Sequence, residues 1–512
     1  MRLYHLFQRL LIVPVVGLLA FAVRWPNLYL IPRTTDETGD INWVLPIVRG
    51  ETFPLTHNDT YNGIVYPYSM ALLFKVFGVN PWIPRGMMAV AGALLAALVA
   101  WIAFSIAQRI EKEETSGIAV ASLAAGLLTA TSFSLILVNS HLGWSNGLTP
   151  LFTTAAIAVT LSAVLDQRAW RLVGAGALWA LALQTHPSTL ALLPGVVVWA
   201  LLQPQGRAFL RTRWLPATAG AFVLAYSNMI WVNVIRRGVS VEEGSNPKNA
   251  YGLAAGVGDY IARFGQLWTQ LGRMMAGSYV PVDDRSAPFL LTPVVPVYIV
   301  LAVAALLWAC FRRATAILPA AALSMAVILA AISHSFESLY DTRYIAPILP
   351  LAYLAMGLAL GHTWNRFGAG GKVAVAVATL ALAIAPLGAL AVFYSDSGAR
   401  GLTNAPLFAI AADAQAQAAQ GTLIVVDKDM GGTKLGGGGD PARAIDTLLT
   451  TLDVPHAFVR PDTIRYYLVN SEAPLFLVLD DDTANALASD ARLTPTDLVG
   501  PHLRAYTAPP GK

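Results

Sequence analysis

The sequence predicts a polytopic α-helical membrane protein with about 11 transmembrane helices and a small C-terminal α/β domain. Three observations predict it. Of the 512 residues, 56% are hydrophobic and 12% charged, about half the charged share of ~25% in an ordinary soluble chain. Up to residue 394 apolar stretches recur that approach the roughly 20 residues needed to cross a hydrocarbon core of ~30 Å. From residue 395 the pattern changes to short, alternating helix and strand candidates.

Taken in order, the apolar stretches predict eleven spans, at 8–24, 83–107, 117–139, 147–165, 171–185, 188–203, 214–235, 289–311, 316–333, 345–361 and 373–394. The fifth and sixth are short, separated only by Thr185-His186-Pro187, and alternatively form one broken hairpin that does not fully cross. In the first, Arg2 and Arg9 precede the apolar run Leu10–Val23, and Arg24-Trp25-Pro26 follows that run in place of a small-residue cleavage site, so it reads as a retained helix rather than a signal peptide. Basic residues cluster in short loops, including Arg109, Lys112, Arg168, Arg171, Arg207, Arg211, Arg312, Arg313, Arg366 and Lys372. The positive-inside rule makes that side cytoplasmic, with the N-terminus on it and the C-terminal domain outside. The net charge of +4 is distributed along those loops and gives no footprint for nucleic acid. One cysteine, Cys310, excludes an internal disulfide and a cysteine metal cluster.

The long outer loop, 24–82, is where chemistry is expected. It carries Asp36, Glu37 and Asp40, then an apolar run from Tyr66 to Phe77 interrupted by Lys75, which reads as a helix lying in the membrane interface. A second interfacial helix is expected near Asp259–Met275. In the tail, helices are expected at Asn404–Gln420 and Pro441–Leu449, and strands at Leu423–Val426, His456–Arg460, Ile464–Leu468 and Leu475–Leu479. The glycine-rich run from Gly431 to Gly436 lacks the GxxxxGK[ST] order of a nucleotide-binding loop and reads as a surface loop.

A carboxylate at the outer surface can take the proton from an acceptor hydroxyl as that oxygen attacks an anomeric carbon, and the phosphate leaving group then needs a cation. Asp36, Glu37 and Asp40 are the acid candidates. Arg343, backed by Asp341 and flanked by Tyr344, is the cation candidate, since a guanidinium can grip phosphate with two hydrogen bonds. The alternative for Arg343 is a side chain snorkelling in an aromatic belt. His141 and His186 also reach the outer side, as candidate partners of substrate hydroxyls or as metal ligands. Lys75 and Arg24 are outward cations whose ordinary role is interface anchoring.

These same residues carry a resemblance. Thr35-Asp36-Glu37 with Asp40 and Gly50, then Pro67-Tyr68 and Phe77-Gly78, then Thr185-His186-Pro187, and finally Arg343-Tyr344 with Pro347 and Pro350 make the chain resemble the C-type integral membrane glycosyltransferases. Within that superfamily it looks like the branch of the protein mannosyltransferases and the lipid A aminoarabinose transferase, over residues 8–394. The resemblance implies a polyprenyl-phosphate-linked sugar donor bound from the outer leaflet of the plasma membrane. It implies Asp36 as general base supported by Glu37, and Arg343 on the lipid phosphate. The acceptor, whether lipid, glycan or protein, is left open, as are a divalent metal and the oligomeric state. The pattern departs from its relatives at Thr38-Gly39-Asp40, where an aromatic-rich stretch is common, and at His141. Two other classes share the outer loops: a polymerase or ligase of lipid-linked glycans, and a multi-spanning transporter. A transporter would concentrate its polar groups at the midplane in matched broken helices.

Overall fold

The computed structural model describes the chain except residues 1, 29–34, 111–114, 245–251, 278–293, 334–340, 400–404, 429–440, 501–502 and 512. Residues 2–399 form a helical bundle and 405–511 a sheet flanked by helices.

The bundle does not contain the eleven spans expected from the apolar stretches. Among the described residues, three helices are long and apolar enough to cross a membrane: Ile83–Ile110, Ser145–Leu165 and Ala369–Ser395. A fourth is gained if Trp214–Ala225 and Ser227–Ile235, bent by 66° at Tyr226, are one broken span. The physical reason is length. Val295–Cys310 and Ile317–Ile332 have 16 residues each and rise about 24 Å at 1.5 Å per residue, short of a ~30 Å core. The spans expected at 171–185 and 188–203 are shorter still, helices of 15 and 10 residues separated by a 3₁₀ turn opened by Pro187. Apolarity counts residues and takes no account of where a helix stops. The chain is nonetheless a multi-pass membrane protein, and its outer surface carries large apolar side chains such as Leu18, Leu94, Leu224, Val300 and Ile384.

Small residues set the closest helix approaches in the bundle. A Cβ at Gly357 would lie 2.5 Å from Ala125, and one at Gly361 would lie 2.4 Å from the Gly117 carbonyl. Without a water-driven hydrophobic force between helices, such close backbone packing supplies the attraction. The helix Val257–Ala276, expected from its spacing, buries Leu267, Leu271, Met274 and Met275 against the bundle.

In the C-terminal unit the strands are β1 (Leu423–Asp427), β2 (His456–Val459), β3 (Leu475–Asp480), β4 (Thr494–Gly500) and β5 (Leu503–Ala508), in spatial order β2-β1-β3-β5-β4. The first three run parallel, and β5 and β4 close the sheet antiparallel. Alternate residues of β1 face opposite layers. Ile424 and Val426 pack with the helices Ala405–Ala418 and Pro441–Thr451, while Val425 packs with Ile464, Leu468 and Ala484 of the other layer. The segment expected as a strand at Ile464–Leu468 is helical, within Pro461–Asn470. Its two buried residues are four apart, the helical repeat, and Pro461 suits a first turn. Strands β4 and β5 lie beyond those anticipated.

The two units meet beside the outer loop. The helix Pro441–Thr451 packs against the helix Thr35–Arg49, and the rings of Trp82 and Phe408 lie 4.2 Å apart.

Candidate active site

The acidic segment, expected as a loop, is a helix from Thr35 to Arg49. Two acids in its first turn suit the positive end of the helix dipole. Ile41, Val44 and Leu45 give it a buried face at helical spacing. Glu37 and Asp40, three residues apart, are both buried and so share one side of the helix. Asp36 lies in the first turn, one turn ahead of Asp40; its side chain lies outside the described residues.

Glu37 receives two parallel bonds from Arg85, Nε to Oε1 and Nη2 to Oε2, each at 2.7 Å. Both side chains are fully shielded from solvent. Arg85 also donates to the Leu28 carbonyl at 2.6 Å, and the Gly143 amide donates to Glu37 at 3.1 Å. Such a network fixes the first turn of the helix against the start of Ile83–Ile110 and the loop after residue 138. Gly143 is needed there: a Cβ would lie 2.6 Å from Pro84 and 3.0 Å from Glu37 Oε1.

Asp40 meets His57, with Nε2 2.6 Å from Oδ1. His57 Nδ1 accepts the Asp59 amide at 3.2 Å, which assigns the ring proton to Nε2, facing the carboxylate. The rim helix Val65–Phe77 buries Tyr66, Met70 and Phe74 and leaves Leu72, Lys75, Val76 and Phe77 exposed. Lys75 therefore sits on the outer surface of this helix.

The loop 138–146 joins the acidic helix to the cation candidate. His141 is buried, with Nε2 2.6 Å from the Arg24 carbonyl and Nδ1 bonded to the Tyr394 hydroxyl. Both ring nitrogens are engaged inside the protein, and burial pushes its pKa down to about 3. Arg24 is held by Ser140 and by the Ala20, Ala130 and Thr129 carbonyls. Three residues beyond His141, Trp144 lies under Arg343, whose guanidinium carbon is 4.3 Å from its ring centre and 5.0 Å from that of Tyr344. Arg343 donates to the Tyr344 hydroxyl at 3.0 Å. Asn146, with its amide oxygen turned toward Arg343, accepts from Nε at 3.0 Å and donates to the Thr185 carbonyl at 3.3 Å.

Tyr344 in turn stacks on His186, ring centres 4.7 Å apart. His186 Nδ1 accepts the Ser188 amide at 3.1 Å; burial, with the positive charge of Arg343 nearby, lowers its pKa to about 3. Asp341 opens the short 3₁₀ turn Asp341–Tyr344, and its side chain lies outside the described residues. Among the described residues no three His, Cys, Asp or Glu side chains gather as a metal site.

The structure thus brings the sequence candidates into two groups linked by adjacent residues. Glu37 reaches the Gly143 amide, and Trp144 beside it lies under Arg343, which bonds to Tyr344, on which His186 stacks. No described contact joins Lys75 to either group. Sequence reasoning missed Arg85 and His57. An arginine just after Pro84, at the head of a long apolar helix, is a detectable signal. His57, in a polar run, has none.

With this geometry in view, the chain can be set beside known proteins. Residues 62–231, about a third of the chain, match the family described as dolichyl-phosphate-mannose-protein mannosyltransferase. The crystal structure of ArnT from Cupriavidus metallidurans bound to undecaprenyl phosphate has a TM-score of 0.59 at 15% identity, covering 97% of each chain. Its apo state has 0.57 at 14% identity, again with 97% of each chain covered. No curated protein matches in sequence. At these identities the likeness is one of fold, and the fold is that of the C-type membrane glycosyltransferase superfamily which the sequence resembles.

Proposed function

We propose that the chain is a glycosyltransferase that moves a sugar from a polyprenyl-phosphate donor to an acceptor hydroxyl at the outer face of the plasma membrane. One observation carries the reading: the carboxylate beside Asp36 and the guanidinium of Arg343 reach consecutive residues, Gly143 and Trp144. The helix turn that carries Asp36 and a cation able to hold phosphate therefore approach one small region. The fold shared with ArnT, crystallised with undecaprenyl phosphate, supports the choice of donor.

In this mechanism Asp36 takes the proton of the acceptor hydroxyl as its oxygen bonds to the anomeric carbon. The bond from that carbon to the phosphate oxygen breaks, the electron pair leaves with the polyprenyl phosphate, and Arg343 stabilises the anion. Attack opposite the leaving group inverts the anomeric configuration. Glu37, spent on Arg85, braces the helix that carries Asp36; Tyr344 and His186 brace Arg343. The N-terminus is cytoplasmic and residues 395–512 form an extracytoplasmic domain covering the acidic helix.

The test is transfer of radiolabelled sugar from a panel of polyprenyl-phosphate sugars, in membranes carrying the parent or Asp36→Asn protein at matched abundance. The expected loss is about 10²–10⁴-fold, the range for removing a general base. Undiminished transfer by a folded mutant removes Asp36 from the chemistry.

A further inference from the structure

A second polar site lies at the far end of the bundle. The helix Ile83–Ile110 begins beside the Glu37–Arg85 pair and ends at a cavity of about 780 Å³ that includes Arg109. The 24 residues from Arg85 to Arg109 rise about 36 Å at 1.5 Å each, more than the ~30 Å of a hydrocarbon core. The cavity therefore opens at the opposite membrane surface from the candidate active site.

Its chemistry is two-sided. The walls are apolar, with Ile102, Ile106 and Leu161 among the lining residues, while Arg9, Arg109, Arg171 and Asp166 also line it. Asp166 accepts from Arg109 at 2.6 Å and also from Arg171. Burial alone would raise the pKa of Asp166, yet the two guanidinium groups hold it below the ordinary carboxylate range. Arg9 has a different partner. Its guanidinium lies 4.8 Å over the face of Trp101, and it makes no ion pair with a described residue. Among the described lining residues, three guanidinium groups against one carboxylate leave an excess of two positive charges around a greasy cavity. Leu10, Leu11 and Trp170 are exposed nearby, as expected of side chains that face lipid and its interface.

The geometry points to a binding site for an anionic phospholipid, its phosphate held by Arg9 with Arg109 and Arg171, and an acyl chain laid along the apolar wall. Basic pockets between helices at a membrane surface recognise anionic head groups, whereas a zwitterionic head group brings no net charge to match the excess. The site is separate from the proposed transfer chemistry and does not depend on it.

Native mass spectrometry of the purified full chain in detergent tests this, with phosphatidylglycerol, phosphatidylcholine and inorganic phosphate titrated in turn. Phosphatidylglycerol is expected to be retained in preference to phosphatidylcholine, with inorganic phosphate neither bound nor displacing it. Arg9→Gln weakens that retention about fivefold, the effect of one basic residue near an anionic surface, and Arg9→Lys restores most of it. If Arg9→Gln does not yield folded protein, Arg171→Gln, which leaves the Arg109–Asp166 pair in place, decides by the same measure. Equal retention of the two lipids, unchanged retention in the folded variant, or displacement by inorganic phosphate overturns the assignment.

Discussion

Glu37 is adjacent to the proposed base, and whether it braces the site or takes part in the chemistry can be separated by a double-mutant cycle. Glu37 and Arg85 are both fully buried and joined by two 2.7 Å bonds. Glu37→Met leaves the Arg85 charge without its carboxylate, and Arg85→Met does the reverse. Removing one partner of a buried pair costs about 3–5 kcal/mol, roughly two to four orders of magnitude in the folding equilibrium. The double replacement removes both desolvation penalties and is expected to recover much of that loss. Thermal unfolding of the four proteins in one detergent measures the coupling, and sugar transfer is assayed on the same preparations. The single mutants should also lose transfer, because a shift of about 1 Å in a catalytic group costs about 10²-fold. The double mutant should regain stability ahead of activity. The bracing role is refuted if the two single effects add without coupling, or if Glu37→Met keeps parental stability while transfer vanishes.

Other expectations follow from the same geometry. Arg343→Lys keeps a positive charge but loses the planar fork stacked on Trp144 and bonded to Tyr344, so the KM for donor should rise with a smaller change in kcat; initial rates over a range of donor concentrations test this. Gly143→Ala drives a Cβ into Pro84 and Glu37 and should destabilise the bundle by about 1–3 kcal/mol, read as a fall in unfolding temperature relative to Gly174→Ala, whose Cβ meets only an ordinary 3.9 Å contact. In the C-terminal unit burial alone would lower the pKa of His456, but its bonds to Asp446 and the Val454 carbonyl raise it above 6.5. A raised pKa means that this stabilisation is complete below pH 6.5 and is lost as pH rises through the folded-state value. Hydrogen exchange across 441–459, corrected for intrinsic rate, should therefore show weaker protection at pH 9 than at pH 6, and Asp446→Asn should abolish the difference. His141 and His186 act with the opposite sign. Their pKa values are lowered to about 3 from 6.5, so their contribution is whole above pH 6.5 and is lost as pH falls toward 3.

Much of the candidate site was legible because its residues are locally unusual. Acids following an apolar helix and an Arg-Tyr pair before another stand out against a chain with 12% charged residues. What escaped was of two kinds. The acidic helix read as a loop because Asp36, Glu37, Gly39 and Asp40 dominate its start, although Ile41, Val44, Leu45 and Val48 already repeat at helical spacing. The span count failed because apolar residues were counted through the break at Tyr226 and because short apolar helices, such as those on either side of Pro187, were counted as full spans. The second kind is pairing at a distance. Arg85 binds Glu37 across 48 positions and Trp144 meets Arg343 across a still longer interval, and local periodicity carries no information about such partners. In the tail, Ile464 and Leu468 were assigned to a strand by composition when their separation of four marked a helix.

The packing of Pro441–Thr451 on Thr35–Arg49 also sets an order of events during synthesis. About 390 residues separate the end of the acidic helix from the start of its cover. At about 5–20 residues per second the ribosome needs roughly 20–80 seconds to cross that interval. For that time the helix carrying Asp36 has left the ribosome and lacks one of its packing partners, while the bundle between them is being inserted. The site is thus completed from both ends of the polypeptide, and a chain truncated before residue 441 would leave this part of it permanently in the state of a nascent protein.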